Sequence, residues 1–382
     1  MTTAFTLRTE PATPKRPRLC PEQTSLTLFP PAARHGTCEP LCDASAPTLD
    51  ATQRTKPATE LVGIARLAAS SPRAEAKRGT EYFLLPVRSI LNHCQSERVP
   101  FEWTVNPYRG CEFGCKYCYA RYTHEYMELD GSEFEKKIYV KQDAAALAAR
   151  DLCSPRIEGK HIAIGTATDP YQPAEREFGA TRAILEKMAE REGLSLSITT
   201  KSNQVVRDID LLRRIAQKSS ISVNLSVTTL RTRLARMLEP RAPRPDLRLA
   251  AVRQLRDAGI DAGVLAMPVI PGLTDSEEDL DALARAVRDS GAMWFATSFL
   301  FLMPSALKQF MPFIEEKFPK LARRYHAWYG HHGSVPDAYR KEIKERVENL
   351  RRKYQLGVRP PRTGVHALHT SPQLPLLLEK GA

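Results

Sequence analysis

The chain has no run of about 18 apolar residues, so no membrane-spanning helix is expected. Its first twenty residues, MTTAFTLRTEPATPKRPRLC, are basic but carry no apolar core, which argues against a secretory leader and makes the cytoplasm the expected compartment. No repeat of fixed length is visible, which sets aside solenoids and propellers. A disulfide framework is missing as well. Of eight cysteines, Cys20, Cys38, Cys42, Cys94 and Cys153 are scattered. Only Cys111, Cys115 and Cys118 cluster, and in a reducing compartment clustered cysteines are more often metal ligands or redox groups than bridges. A broadly basic surface is also absent from the body. The net charge is +12, but residues 1–80 carry 11 Lys/Arg against 7 Asp/Glu and residues 351–382 carry 6 against 1, which leaves only +3 for residues 81–350. Bulk charge therefore gives no argument for nucleic acid.

What is present is an alternation of strands and helices between two proline-rich ends. Residues 1–75 read as a disordered tail, with nine prolines by residue 60. Residues 355–382 read as a flexible tail interrupted by Pro360, Pro361, Pro372 and Pro375. Between them the predicted strands are Phe101–Val105, His161–Ala167, Leu194–Thr199, Ile221–Val227, Ala262–Ile270 and Met293–Leu302. Helices are predicted at Asp143–Leu152, Thr181–Glu192, Val205–Gln217, Arg231–Leu238, Leu247–Ala258 and Ser276–Asp289, and a helical extension at 303–354. This order implies right-handed βαβ units and a parallel α/β sheet, either open and doubly wound or an incomplete barrel.

The cysteines lie in Asn106-Pro-Tyr-Arg-Gly-Cys111-Glu-Phe-Gly-Cys115-Lys-Tyr-Cys118-Tyr119, spaced C-x3-C-x2-C. Gly110 and Gly114 let the backbone wrap a cluster and turn amides toward its sulfurs. A zinc site with His124 as fourth ligand uses the same residues, and would make the chain a zinc-stabilised nucleic-acid-binding module without catalysis. A redox dithiol, Cys115 with Cys118, and three buried structural cysteines are the remaining readings. The x3–x2 spacing with Tyr117 just before the third cysteine favours a [4Fe–4S] cluster.

The longer string NPYRGCEFGCKYCYAR resembles the radical S-adenosylmethionine (SAM) superfamily, and within it the spore photoproduct lyase-like branch, also labelled DNA-repair photolyase-like. The resemblance runs from about Tyr82 to about Leu302. It implies a partial (β/α)6 barrel over residues 76–302. It also implies an enzyme whose three cysteines leave one iron open for SAM, which an electron then cleaves to a 5′-deoxyadenosyl radical. The expected donor is of flavodoxin or ferredoxin type. With SAM across the C-terminal strand ends, the resemblance implies that Thr168 and Asp169 meet its amino group, and that Lys201 and Ser226 meet its carboxylate. Arg241, in Glu239-Pro-Arg241, is a candidate for the ribose or carboxylate. The segment Met267–Gly272 is a candidate adenine wall.

In spore photoproduct lyase the radical abstracts hydrogen from a thymine dimer, and a Cys close to the second strand returns one. The matching stretch here, Gly165-Thr166-Ala167-Thr168-Asp169, has no Cys. Tyr117 and Tyr119 match the aromatic pair beside the third cluster Cys and are candidates for hydrogen-atom relay. Cys153 reads as buried and inert. The absence of a second cysteine cluster argues against auxiliary iron–sulfur centres. Tyr325–Gly333 is rich in aromatics and imidazoles and reads as a packed helix end or a base-stacking mouth. Gln373-Leu-Pro-Leu-Leu-Leu378 and Ser25-Leu-Thr-Leu-Phe29 resemble peptides that dock on sliding clamps, a partner to set beside nucleic acid.

Overall fold

The computed structural model describes residues 60–77, 79–94, 99, 101–330 and 333–359. Both clamp-like peptides fall outside these residues. The first helix, α1 (Gly63–Ser70), precedes β1 (Arg73–Lys77), β2 (Thr80–Leu85), β3 (Leu91–His93), β4 (Trp103–Val105) and β5 (Tyr108–Arg109). After the cysteine segment come α2 (Tyr122–Glu125), β6 (Lys137–Lys141), α3 (Ala144–Asp151) and β7 (His161–Ile164). Then follow α4 (Ala174–Phe178), α5 (Ala180–Ala189), β8 (Ser195–Thr200), α6 (Ile209–Ala216), β9 (Ser220–Ser226), α7 (Thr232–Leu238) and α8 (Pro245–Asp257). Strand β10 (Asp261–Val269), α9 (Glu277–Asp289), β11 (Phe295–Phe299), α10 (Pro304–Lys317), α11 (Pro319–Tyr329) and α12 (Asp337–Tyr354) complete the chain.

The larger sheet has the order β11-β10-β9-β8-β7-β4-β3. Strands β4 to β11 pair in parallel, and β3 joins antiparallel at the edge. Six parallel strands in sequence order, each followed by helix, make a partial (β/α)6 barrel with a helical C-terminal extension. All six correspond to strands expected from the sequence. One face of these strands is aliphatic (Ile162, Ile164, Leu196, Ile198, Val223, Leu225 and Val264, aligned in register), while the alternate positions, among them Ala163, Ser197 and Asn224, are buried but small or polar. The helices bury one stripe each. Leu211, Leu212 and Ile215 on α6 do so, as do Leu280, Leu283, Ala284 and Val287 on α9. Helix α9 is started by Ser276, whose Oγ accepts from Asp279 N at 3.1 Å, with three acidic residues in its first turn.

A second sheet, β1-β2-β6-β5, was not expected. It stands beside the cysteine segment and tethers it through β5. Residues 60–75 had been read as tail, yet α1 and β1 lie there. Ala65 and Ala68 are buried, and Ala68 joins Leu85, Met127 and Tyr139 in a small core of its own. At the other end, residues 355–359 had also been read as tail. Leu356 is buried, and Gly357 N donates to Met293 O at 3.0 Å, so this stretch packs along the β11 edge. Cys153 is exposed rather than buried. No helix among the described residues is long and apolar enough to cross a membrane.

Candidate active site

The cysteine loop follows β5 and is pinned at every turn. Gly110 has φ 84°, and a Cβ there would lie 2.7 Å from Lys137 O and 2.8 Å from Phe134 O, so any side chain would displace β6 from the loop. Cys111 N donates to Phe134 O at 3.0 Å and Lys116 N to Leu238 O at 2.9 Å. The fully buried Arg121 donates to Cys115 O at 3.2 Å while pairing with Glu135 at 2.6 Å. Behind the loop, Gln172 donates to Gly110 O at 3.1 Å and accepts from Glu112 N at 2.9 Å, and Thr168 Oγ1 donates to Gly110 O at 2.6 Å. The loop is thereby fixed to the end of β7.

Cys111, Cys115 and Cys118 line one cavity of about 1010 Å³ at the C-terminal ends of the strands, large by the scale of small-molecule sites. Tyr117, Tyr119, Thr168, Asp169, Lys201 and Ser226 line it too. Asp169 Oδ1 accepts from Thr200 Oγ1 at 2.6 Å and Tyr171 N at 2.9 Å, and Oδ2 from Lys201 N at 2.7 Å. Its carboxylate thus ties β7 to β8, which the Asp-Pro turn alone would not do. Gly165 makes this approach feasible: at φ 84° its Cβ would lie 2.5 Å from Thr199 O. The Lys201 ammonium lies 5.7 Å from the Tyr117 ring centroid. Burial lowers its pKa, but the charges of Cys115 and Glu239 outweigh that and leave it raised.

Arg241 does not reach this cavity. It is exposed, and its guanidinium lies 3.4 Å from Thr80 Oγ1 and 3.5 Å from Glu135 O. The buried acid two residues earlier is the one that matters. Glu239 pairs with Arg248 at 2.5 Å, both side chains being 1% exposed, and accepts from Thr228 Oγ1 at 2.8 Å and from the Tyr117 hydroxyl. Arg248 Nη1 also donates to Ser226 O at 2.9 Å. Tyr117 is therefore committed to this network, whereas the Tyr119 hydroxyl donates to Thr166 O at the cavity wall. Of Met267–Gly272, Met267 and Pro268 line the cavity, while Val269 and Ile270 are core. Of the stretch Tyr325–Gly333, Tyr325 donates to Pro271 O at 2.7 Å and Tyr329 is buried, while His331 and His332 lie outside the described residues. Residues outside the expected set also reach the cavity, among them Phe113, Ser298, Arg340 and Arg359.

The donor set can be tested against a metal. Burial pushes all three thiols up: Cys111 well above the ordinary value, with Asp169 adding; Cys115 to about 12 against the pull of Lys201; and Cys118 against that of Arg121. Thiols so placed ionise readily only where a bound metal takes the charge. His124, the supposed fourth zinc ligand, is buried with Nε2 3.0 Å from Lys137 O and its ring against Phe134 and Tyr139. Three cysteines on the lining of one cavity suit a cubane that leaves its fourth iron to a ligand in that cavity.

The radical SAM superfamily profile matches residues 105–284, the span from β4 through most of α9. The chain belongs to the radical SAM superfamily. A protein of Mycobacterium tuberculosis is 36% identical over 303 residues, 79% of this chain and 88% of that one. One of Methanocaldococcus jannaschii is 30% identical over 219 residues, 57% of this chain and 77% of that one. Both are described as uncharacterized. Among solved structures, a substituted spore photoproduct lyase with bound AdoMet and dinucleoside spore photoproduct superposes with a TM-score of 0.53 at 19% identity, covering 78% of this chain and 86% of that one. A second spore photoproduct lyase variant gives 0.53 at 19% identity over 71% and 79%. This radical SAM enzyme shares their fold.

Proposed function

We propose that Cys111, Cys115 and Cys118 hold a [4Fe–4S] cluster whose open iron binds SAM and whose electron releases a 5′-deoxyadenosyl radical, for hydrogen abstraction from nucleic acid. The observation that carries this reading is the meeting of the three cysteines with Lys201, Asp169 and Ser226 on one cavity of about 1010 Å³. Lys201, raised in pKa and tethered through its amide to Asp169, is a fixed cation for the SAM carboxylate. The Ser226 hydroxyl offers that carboxylate a donor. Thr168 and Asp169 stand at the amino-group side, and three hydrogen bonds hold the Asp169 carboxylate in place for an ammonium. Leu265, Met267 and Pro268 supply an apolar wall for adenine.

The nucleic-acid half of the reading rests on Arg340 and Arg359 at the same cavity. Arg359 is pulled down to about 10 by burial, and its Nη2 is buried without a hydrogen-bond partner, a state that a phosphate would relieve. Tyr119, whose hydroxyl donates to a backbone carbonyl, Thr166 O, at the cavity wall while that of Tyr117 donates to the buried carboxylate of Glu239, is the phenol for hydrogen-atom exchange with substrate. A flavodoxin- or ferredoxin-type donor in the cytoplasm is the reductant that fits this chemistry. Anaerobic turnover with deuterated oligodeoxynucleotides, undamaged and ultraviolet-irradiated, tests the substrate. Deuterium in the recovered 5′-deoxyadenosine is expected from at least one. 5′-Deoxyadenosine formed at equal rates with and without DNA, and free of deuterium, would remove nucleic acid from the reading.

A further inference from the structure

A second, smaller cavity of about 60 Å³ lies behind the first and shares Ala167 with it as a wall. At 10–15 Å³ for each water, it has room for roughly four waters or one tetrahedral oxyanion. Asn92, Thr104, Arg109, Tyr122, Tyr126 and Lys141 line it, and among the described residues no carboxylate does. Lys141 is only 5% exposed, and Arg109 Nε is buried without a hydrogen-bond partner. The carboxylate felt by Lys141 is Asp151, but that group is already taken by Ser89 Oγ at 2.7 Å, Ile90 N at 2.8 Å and Arg150 at 2.6 Å. Two adjoining buried cations whose neighbouring carboxylate is shared with Ser89, Ile90 and Arg150 are costly in a folded protein unless an anion completes them. Burial, with Arg109 adding, pulls Lys141 down to about 7, and an anion beside it would reverse this.

The surroundings specify the anion further. Tyr126 is 42% exposed and meets Tyr122 edge-on at 5.4 Å, and Tyr122 in turn stacks on Tyr119 of the larger cavity at 6.4 Å. Exposed aromatic rings beside unneutralised cations are how proteins hold a nucleotide strand, by base stacking and phosphate contact together. Asn106, whose Oδ1 accepts from Ala167 N at 2.8 Å and whose Nδ2 donates to Thr166 Oγ1 at 3.1 Å, links the small cavity to the wall of the large one. We propose that the cavity between Arg109 and Lys141 is a phosphate-binding subsite for a nucleic-acid strand whose target nucleotide enters the larger cavity. The assignment to a strand rests on the nucleic-acid reading above; the affinity for phosphate does not.

Thermal unfolding in inorganic phosphate, against chloride at matched ionic strength, is expected to raise the wild-type Tm by a few degrees and to leave Lys141→Met unmoved. Anisotropy with a single-stranded oligodeoxynucleotide is expected to give a Kd about tenfold weaker for Lys141→Met and a salt slope smaller by about 1. Should that variant not fold, slowing of Lys141 acylation by phosphate in the wild type, read by peptide mass spectrometry, serves instead. No phosphate-specific effect on Tm or acylation overturns the subsite. Oligonucleotide affinity and salt slope unchanged in Lys141→Met overturn it too, while the nucleic-acid reading stands. Phosphate stabilisation without any oligonucleotide binding keeps a phosphate site and overturns the nucleic-acid reading.

Discussion

In β7, β8 and β9 an aliphatic row on one face and the polar groups at the C-terminal ends form two halves of opposite character. The N-terminal and middle parts of β7, β8 and β9 hold Ile162, Leu196, Ile198, Val223 and Leu225, all nearly without exposure. Their C-terminal ends hold Thr168 and Asp169, Thr200 and Lys201, and Ser226, Thr228 and Thr229, which are polar and equally buried for the most part. The apolar half draws its stability from area removed from water and is indifferent to which aliphatic residue supplies it. The polar half is stable only because each group is matched. Asp169 accepts three hydrogen bonds, and Glu239 meets Arg248, Thr228 and Tyr117. Substitutions in the two halves should therefore fail differently.

The largest effect is expected at the cysteines. Cys115→Ala should lose the iron and all SAM cleavage while the sheet remains folded by circular dichroism; full iron retention would break the contrast between a ligand loop and its scaffold. Next comes Glu239→Ala, which leaves Arg248 buried and unpaired and should cost about 3–5 kcal/mol in urea unfolding. A loss under about 1 kcal/mol would mean that the polar half carries no stability. Leu225→Ala, in the apolar half, should cost about 2–5 kcal/mol and leave the SAM affinity of the folded fraction as it was.

A smaller effect concerns pH. His161 is buried between Ser195 Oγ at 2.8 Å and Ser197 Oγ at 2.9 Å, and burial pulls its pKa from 6.5 to about 4. Between those values the unfolded chain holds the extra proton and the folded chain does not. Stability should therefore fall as pH drops from about 6.5 toward 4, by at most about 3 kcal/mol, and stay level above that window. The urea midpoint of His161→Gln should fall less steeply over the same range; parallel curves would assign the acid loss elsewhere. The smallest effect is at Arg241, whose truncation to Ala should change stability by no more than about 0.5 kcal/mol and SAM affinity not at all. A tenfold loss of SAM binding, by calorimetry, would return Arg241 to the cavity.

The six strands and their helices were legible because the strands carry β-branched and aliphatic residues in short runs or at alternate positions, as in Ser195–Thr200 and Ser220–Ser226, and the helices write a 3.6-residue stripe. The second sheet was not: its central strands Thr80–Leu85 and Lys137–Lys141 carry strand-forming residues such as Tyr82, Phe83, Ile138 and Val140 but stand outside the βα alternation, and its edge strand Arg73–Lys77 has no large apolar residue. The cysteine loop was legible from spacing alone. The Glu239–Arg248 pair was not, since Tyr117 and Glu239 are 122 residues apart and meet only through the fold. A trace of it was present. Arg248 occupies the buried stripe of α8 with Val252 and Leu255, and an arginine on an apolar stripe needs a buried acid. The choice of Arg241 over Glu239 took the charged group best suited to SAM, whereas the structure buries its neighbour.

The central claim is that this loop supports reductive cleavage of SAM. Anaerobic reconstitution with iron and sulfide, reduction with dithionite, addition of SAM and quantification of 5′-deoxyadenosine test it most directly. The account predicts 5′-deoxyadenosine from the wild type and none from the variant with Cys111, Cys115 and Cys118 all changed to Ala. Stoichiometric zinc, no iron and no 5′-deoxyadenosine from the wild type would contradict it.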